Sequence, residues 1–156
     1  MVTELLNQVV RNANFESQPD GDRVKLTVEA DAIVRGNPEL LHSAIENVVR
    51  NAIHYTEPGT QVEIRLQHDR SGARIEIRDH GPGLPEAELA NIFRPFYRVA
   101  AARDRQSGGA GLGLAIADRV IRTHGGTIRA RNAAPNGLLI EILLPEDAAG
   151  TPDPRT

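Results

Sequence analysis

The clearest structural signal in the chain lies in residues 60–83, TQVEIRLQHDRSGARIEIRDHGPG. Apolar and polar side chains alternate over 60–68 and again over 73–79, which is typical of half-buried strands. Between them, Asp69-Arg-Ser-Gly72 has the composition of a turn. The stretch therefore predicts a β-hairpin whose second strand ends at Asp79, directly before a turn rich in glycine and proline.

A long amphipathic helix is predicted before the hairpin. Asn37 and Pro38 have the residue types of a helix N-cap and a first helical position. From Leu41 onward, apolar residues recur at helical spacing to about Tyr55, and 57–59 (EPG) ends the helix. Further upstream, the patterns predict a helix over 3–15, a strand over 24–28 and a second short strand over 31–35.

Beyond the hairpin, residues 80–111 contain the apolar-aromatic segment IFRPFY at 92–97. Residues 100–111 are small, charged and rich in glycine, which predicts a lid-like loop. A helix is predicted from about Leu112 to the glycines at 125–126, followed by strands over 127–132 and 137–144. We expect residues 1–145 to form one domain and the polar residues 146–156 to form a disordered tail.

This order of elements predicts an α/β sandwich, in which a mostly antiparallel sheet carries helices on one face. The length of 156 residues and the 40% hydrophobic and 25% charged content suit one soluble globular domain. The lack of cysteine excludes disulfides, thiol nucleophiles and cysteine-ligated zinc. No apolar run reaches the roughly 18 residues of a membrane span, and no signal peptide is predicted. The net charge of −3 argues against a general nucleic-acid surface.

Arginine supplies 17 of the 18 basic residues, and Lys25 is the single lysine. A P-loop requires a lysine inside its glycine-rich loop, and a eukaryotic-type protein kinase requires a strand lysine that pairs with the phosphates. Lys25 is far in sequence from every glycine-rich segment. If the chain binds a nucleotide, it therefore does so by neither of these arrangements.

Two asparagines on the long helix form the first candidate site. Asn47 and Asn51 are four residues apart and His54 follows three residues later, so they share one helix face, predicted to lie opposite the core stripe. Asparagine is a poor helix former, and its neutral amide oxygen can ligate a hard cation such as Mg²⁺. The alternative is a solvated polar helix face.

The turn Asp79-His-Gly81-Pro-Gly83-Leu84 forms the second candidate site. A carboxylate at a strand end can accept a hydrogen bond from an exocyclic amine. The glycines allow a flat ring or a phosphate to approach the backbone. The alternative is an ordinary connection between a strand and a loop.

The last helix opens with Gly108-Gly-Ala-Gly-Leu-Gly-Leu114, the third candidate site. Backbone N–H groups at a helix N-terminus bind anions, although the segment matches neither the dinucleotide-binding G-x-G-x-x-G pattern nor a Walker A motif. Arg98, Arg103 and Arg105, offset only by Asp104, precede it and are suited to clamping a phosphate. The alternatives are a flexible hinge and a solvated cluster of charges.

In order and spacing, these segments resemble the four boxes of the catalytic and ATP-binding domain of bacterial sensor histidine kinases. Asn47-x3-Asn51-Ala with Tyr55-Thr56 resembles the N box, and Asp79-x-Gly81-x-Gly83 resembles the G1 box. The segment 92–98 (IFRPFYR) resembles the F box, and Gly109-x-Gly111-Leu-Gly113-Leu resembles the G2 box. The resemblance covers about residues 3–145, and the stretch 94–116 is most similar to the Cpx-type envelope-stress sensor kinases.

The resemblance implies the Bergerat fold shared with gyrase B, Hsp90 and MutL: a mixed, mostly antiparallel five-stranded sheet, three helices on one face, and an ATP lid. It implies ATP and Mg²⁺ as cofactors, with Asp79 receiving the adenine amino group and Asn51 binding Mg²⁺. Catalytic roles are implied for Asn47, Arg98 and Arg105. The nucleotide-binding residues implied are Asn47, Asn51, His54, Tyr55, Asp79, Gly81, Gly83, Leu84, Arg98, Arg105, Gly109, Gly111, Leu112, Gly113 and Leu114.

The chain departs from the family pattern at two positions. His54 stands where the N box commonly has lysine or arginine, which predicts a pH-sensitive phosphate contact. Leu138 stands where many relatives carry a threonine that assists adenine binding, so one polar contact is expected to be missing.

The N box also predicts the type of reaction. In the related ATP hydrolases a glutamate takes the position of Asn47 and activates water, whereas an amide cannot take up a proton. Glu46 points about 100° away around the helix. The resemblance therefore implies transfer of the γ-phosphate to a histidine on another domain.

None of the five histidines has the phosphoacceptor pattern of that second domain. We expect a cytoplasmic domain whose parent is a bacterial inner-membrane homodimer, while the isolated domain is a monomer that binds ATP or ADP and no nucleic acid. Its partner would be the dimerisation and phosphoacceptor domain, with a response regulator reached indirectly. The alternatives are a Bergerat-type serine kinase of an anti-sigma system, which the F box and the arginine-bearing lid disfavour, and a non-catalytic ATP-sensing module.

Overall fold

The computed structural model describes residues 1–17, 21–70, 72–97 and 112–146. Within these ranges it has five strands, three α-helices and two single-turn 3-10 helices, at 86–88 and 91–93. The helices are α1 (Val2–Glu16), α2 (Pro38–Tyr55) and α3 (Gly113–Thr123). The strands are β1 (Val24–Val28), β2 (Val62–Asp69), β3 (Gly72–Arg78), β4 (Thr127–Asn132) and β5 (Leu138–Leu144). The described residues contain the five-stranded sheet and the three α-helices that the resemblance implies.

The five strands form one sheet in the order β1-β2-β3-β5-β4. β1 is parallel to β2, and the other three pairings are antiparallel. The predicted hairpin is β2–β3, with Asp69 opposite Gly72 at the turn and Ile64 opposite Ile77. The sheet is therefore mixed and mostly antiparallel, as predicted.

One face of the sheet forms the core with the helices. Inward side chains such as Ile64, Ile75 and Ile142 are at most 1% exposed, as is Ile45 of α2, and burying each such side chain stabilises the fold by about 2 kcal/mol. The other face carries charged cross-strand pairs such as Arg65 opposite Glu76. This division explains the alternating sequence of the strands and places all three α-helices on one side.

The start of α2 confirms the predicted helix cap. Oδ1 of Asn37 accepts hydrogen bonds from the backbone N–H groups of Glu39 and Leu40, at 2.9 and 3.1 Å. Pro38 takes the first helical position, where a missing N–H costs nothing. The local sequence is therefore enough to start this helix at the right residue.

The second short strand predicted over 31–35 is wrong. Oδ1 of Asp31 accepts from the backbone N–H groups of Thr3 (3.1 Å) and Ala32 (2.7 Å), and the N–H of Val2 donates to the carbonyl of Ala32. The segment satisfies N–H groups at the start of α1 that have no partner within the helix. It therefore serves α1 and does not pair with a strand.

The predicted tail falls almost entirely outside the described residues. Glu146 is the first residue of this tail, and its Oε2 atom lies 2.8 Å from Nε2 of His68 on β2. The boundary after residue 145 stays a prediction.

Within the described part of the chain, no helix combines the length and the apolar character that crossing a membrane requires.

Candidate functional site

The two asparagines of α2 lie beside the N-terminus of α3. Both Asn47 and Asn51 are half-buried, which differs from a fully solvated helix face. A Cβ atom at Gly113 would lie 3.8 Å from Cβ and 4.0 Å from Oδ1 of Asn47. The packing of α2 on α3 therefore brings the N-box and G2-box segments into contact.

The described residues supply no capping partner to the first turn of α3 at this point. Its N-cap is Leu112, which makes no side-chain capping hydrogen bond, and the first helical bond runs from the N–H of Ile116 to the carbonyl of Leu112. The N–H groups of Gly113, Leu114 and Ala115 consequently lack a partner within the helix. Such an uncapped N-terminus attracts an anion.

Asp79 lies at the end of β3 and is 2% exposed. Its Oδ1 accepts two backbone hydrogen bonds, from Gly81 (2.9 Å) and from Leu138 (3.0 Å). The described residues supply no donor to Oδ2. A carboxylate oxygen that these residues leave without a donor can accept a hydrogen bond from a ligand, so Oδ2 is suited to an amine that enters from outside the protein.

The side-chain contact to adenine that is expected to be missing at Leu138 stays a prediction. Its side chain is apolar, but its backbone N–H donates to Oδ1 of Asp79 and its carbonyl accepts from the Asp79 N–H at 3.0 Å. Leu138 therefore orients the carboxylate through its backbone, a contribution that the residue type does not reveal.

Thr56, at the end of α2, holds the turn that follows β3. The sequence identifies this residue only as part of the N box and predicts no role for it. The backbone N–H of His80 donates to Oγ1 of Thr56 at 3.0 Å. That oxygen is 2.7 Å from Oγ1 of Thr60, whose hydroxyl donates to the carbonyl of Glu57 at 2.5 Å. Because the Thr60 proton is used in this way, the Thr56 hydroxyl donates to Thr60. The chain of bonds fixes the start of the turn.

Gly81 allows the closest approach between the turn and α2. A Cβ atom at this position would lie 2.2 Å from the carbonyl oxygen of Tyr55. A side chain here would push the turn away from the helix. Close packing of the turn against α2 therefore requires glycine at this position of the G1 box.

The F-box segment is closed by a contact between Glu88 and Tyr97. The Tyr97 hydroxyl donates to Oε1 of Glu88 at 2.9 Å. Partial burial, together with this hydrogen bond and the charge of Glu88, raises the pKa of the Tyr97 hydroxyl above its ordinary value. Ile92 is buried, whereas Phe96 is 71% exposed in a left-handed backbone conformation with φ 64°. Ile92 therefore anchors this segment to the core, a few residues before Arg98 in the chain.

One predicted nucleotide-binding residue of α2, His54, is not brought into the same cluster. His54 is exposed, and its ring meets the edge of the Tyr55 ring with centroids 4.9 Å apart. Arg98, Arg105, Gly109 and Gly111 lie outside the described residues, as does the whole of the predicted lid over 100–111.

Glu46 lies away from the Asn47 side chain, as its helical position predicts. Its carboxylate pairs with Arg50 at 2.5 Å and lies 3.3 Å from Nδ1 of His42. These partners lie one turn away on its own face of α2. The described part of the site therefore shows no carboxylate beside Asn47 that could activate water.

Comparison with known proteins agrees with this geometry. The family described as "Histidine kinase-, DNA gyrase B-, and HSP90-like ATPase" matches residues 36–148. The sensor histidine kinase CpxA of Escherichia coli K12 is 41% identical over 143 residues, which are 91% of this chain and 31% of CpxA. The chain thus spans about a third of the length of this curated relative.

Solved structures share the fold. The mycobacterial sensor histidine kinase MprB superposes with a TM-score of 0.78 at 32% identity, over 93% of this chain and 95% of that one. The ATP-binding domain of PrrB from Mycobacterium tuberculosis superposes with a TM-score of 0.74 at 29% identity, over 94% and 95% of the two chains. Together with the matched family, these similarities show that the chain belongs to the histidine kinase-, DNA gyrase B- and HSP90-like ATPases, within the sensor histidine kinases.

Proposed function

We propose that this domain binds Mg-ATP and transfers the γ-phosphate to a histidine on a separate dimerisation and phosphoacceptor domain. The observation that carries the proposal is Asp79, a buried carboxylate with one oxygen satisfied by backbone donors and the other available to an amine. The name of CpxA as a sensor histidine kinase and the description of PrrB as an ATP-binding domain support it.

The two ends of the site suit the two ends of one nucleotide. Adenine would donate its amino group to Asp79, and the phosphates would meet the N-terminus of α3 beside Asn47. Along α2, eight residues separate Asn47 from Tyr55, or about 12 Å. The remaining nucleotide contacts in the proposal are Asn51, His54, Tyr55, Gly81, Gly83, Leu84, Arg98, Arg105, Gly109, Gly111, Leu112, Gly113 and Leu114.

The residues present fit a magnesium ion that is held mainly by phosphates. The described residues contain no group of three histidine or acidic side chains that could hold a metal. Mg²⁺ commonly keeps several waters and binds substrate phosphates with only one or two protein oxygens. Asn51, half-buried one helical turn from Asn47, would supply such an oxygen, and the ion would neutralise charge on the phosphates.

In the proposed transfer, the bond from the γ-phosphorus to the β–γ bridging oxygen breaks while a bond to an imidazole nitrogen forms, and ADP leaves. The contribution of this chain is positioning and charge neutralisation. Asn47 presents an amide beside the α3 N-terminus, and an amide cannot deprotonate water. Arg98 and Arg105 would clamp the phosphates from the lid.

The assembly around the domain is part of the proposal. The domain would be cytoplasmic and monomeric when isolated, and its parent would be a homodimeric sensor of the bacterial inner membrane. The phosphoacceptor domain would pass the phosphate to a response regulator.

The decisive experiment mixes the domain with Mg-ATP labelled on the γ-phosphate and its cognate dimerisation domain. We expect acid-labile phosphohistidine on the second protein, and no label when its phosphoacceptor histidine is replaced by glutamine. Label on a serine of an anti-anti-sigma partner would favour the serine kinase. ATP binding without transfer to either protein would favour a sensing module.

The magnesium site has its own test in Asn51→Ala. Removing one oxygen ligand should weaken ATP binding about tenfold when Mg²⁺ is present, and less than twofold when EDTA removes the metal. Calorimetry with and without Mg²⁺ measures both values. An equal loss in the two conditions would show that Asn51 serves packing and not the metal.

A further inference from the structure

The turn of residues 79–84 is tied at both of its ends to the same pair of strands. At its start, Asp79 and Leu138 exchange two hydrogen bonds of 3.0 Å. At its end, Leu84 is bound by the side chain of Asn132. Asn132 and Leu138 are themselves partners in the β4–β5 ladder. The turn is therefore closed into a ring by two residues that face each other across one pair of strands.

The side-chain amide of Asn132 makes a pair of hydrogen bonds to the Leu84 backbone, one as donor and one as acceptor, as the backbone of a neighbouring strand would. Its Nδ2 donates to the Leu84 carbonyl at 2.7 Å, and its Oδ1 accepts from the Leu84 N–H at 2.9 Å. Leu84 in turn packs its side chain against the core. Of the side chains of this size, only the amide provides both a donor and an acceptor in this arrangement.

The contact is tight where the turn passes Asn132. Gly83 has a φ of +72°, and a Cβ atom there would lie 2.7 Å from Oδ1 of Asn132. Glycine is readily displaced into other conformations when nothing holds it. Without the two bonds to Leu84, the far end of the turn would therefore move, while its near end stayed bound to Leu138.

We propose that Asn132 is a positioning residue for nucleobase recognition. By holding the Leu84 end of the turn, it sets the width of the opening through which adenine reaches Oδ2 of Asp79. This inference rests on the proposed function. Asn132 acts through Leu84 and has no role at the phosphates, which would bind at the N-terminus of α3. Its loss should therefore affect base binding and spare the transfer step.

The test compares the wild-type domain with Asn132→Ala and Asn132→Asp. Loss of two partly exposed hydrogen bonds should weaken ATP binding about tenfold in calorimetry. The KM for ATP in phosphotransfer should rise by a similar factor, with kcat within twofold of the wild type. Asn132→Asp should lose at least as much affinity, because its carboxylate keeps the acceptor but faces the Leu84 carbonyl. Asn12→Ala, which removes an exposed amide from α1, is the matched control.

Amide hydrogen exchange tests the inference without nucleotide. The Leu84 N–H should lose protection in Asn132→Ala, while the Asp79 N–H keeps its protection. Unchanged ATP affinity in Asn132→Ala, or a fall in kcat as large as the rise in KM, would overturn the inference. A wild-type domain that binds ATP but transfers no phosphate to histidine would contradict the proposed transfer alone. The ATP affinity and the amide hydrogen exchange of Asn132→Ala would still decide the role of Asn132. A wild-type domain that binds no ATP would overturn both.

Discussion

At the scale of single residues, the site depends on Asp79 using its two oxygens differently. Oδ1 is occupied by the N–H groups of Gly81 and Leu138, so the carboxylate cannot rotate freely. In the proposed function, Oδ2 receives the adenine amino group. A fixed acceptor of this kind discriminates strongly, because a mismatched partner leaves a buried polar group unsatisfied.

Asp79→Asn should abolish detectable ATP binding while the fold survives. An asparagine can keep Oδ1 in its two backbone hydrogen bonds, but Nδ2 then presents a donor to the adenine amine. The mismatch should cost about 3 kcal/mol or more, over a hundredfold in affinity. Calorimetry measures the loss, with Asp118→Asn on the surface of α3 as the control. Affinity within threefold of the wild type would remove Asp79 from the adenine site.

Asn47→Glu tests why the domain would bind ATP without hydrolysing it rapidly. The wild-type domain should hydrolyse ATP very slowly, because Asn47 is an amide and Glu46 is paired with Arg50. A glutamate at position 47 should raise hydrolysis at saturating ATP by about 10²-fold if its geometry is adequate, and should lower transfer to histidine. Its charge beside the phosphates should also weaken binding, so affinity must be measured with the rate.

Asn47→Gln is the neutral control for this change, since it has the length of glutamate without the base. Equal hydrolysis by the two variants would exclude general-base catalysis as the cause. Hydrolysis by the unmodified domain at the rate of a dedicated ATPase would contradict the role given to Asn47.

At the scale of elements, the site depends on how α2 lies along α3. The two helices run antiparallel, so the start of α2 meets the end of α3. There, Nε2 of His124 accepts from the backbone N–H of Asn37 at 3.1 Å, and its Nδ1 donates to the carbonyl of Val120 at 2.7 Å. This contact links the C-cap of α3 to the N-cap of α2. It lies at the opposite end of the helix pair from the approach of Asn47 to Gly113.

Gly36→Ala should disrupt this link by displacing the His124 ring. A Cβ atom at Gly36 would lie 2.3 Å from Cδ2 of His124, and overpacking of this kind costs about 1–3 kcal/mol. In a His124→Ala background the ring is absent, so the same change should cost less than about 0.5 kcal/mol. Urea unfolding of the four proteins completes the cycle. Additive losses would show that Gly36 and His124 act independently.

At the scale of the whole molecule, Asp31 couples the stability of the domain to pH. Partial burial by itself would raise the pKa of the Asp31 carboxyl, but the N–H groups of Thr3 and Ala32 hold it below its ordinary value. The charged form therefore stabilises the folded state above the unfolded pKa of about 4. This stabilisation is lost as the pH falls through the lower pKa of the folded state.

Asp31→Ala should accordingly destabilise the domain by about 1 kcal/mol at pH 7, the usual value of a helix cap. The difference from the wild type should shrink as the pH falls below about 4, because the unfolded carboxyl then takes up a proton more readily than the folded one, and it should be smallest below the lowered pKa of the folded state. Urea unfolding at a series of pH values measures it, with the exposed Asp22→Ala as the control. A difference that stays constant down to the lowest pH would show that the charge contributes nothing.

Most of the secondary-structure elements and the family were predictable from the sequence alone. Alternation over 60–79 specifies a hairpin because side chains on a strand alternate between two faces. Asn37 and Pro38 specify the start of α2 because capping involves only neighbours along the chain. The N, G1, F and G2 boxes could be read because they consist of short local patterns, and the comparisons confirm the family that they indicate.

The contacts that join these elements were not predictable from the sequence, since they connect residues distant in the chain. Asp31 looks like part of a strand until α1 is seen to need its carboxylate 28 residues away. Thr56 and Asn132 carry no local signal for binding the 79–84 turn, across 24 and 48 residues. Leu138 contributes a backbone N–H, which every residue except proline possesses. A hydrogen bond of this kind depends on position in space, and that position exists only once the sheet has formed.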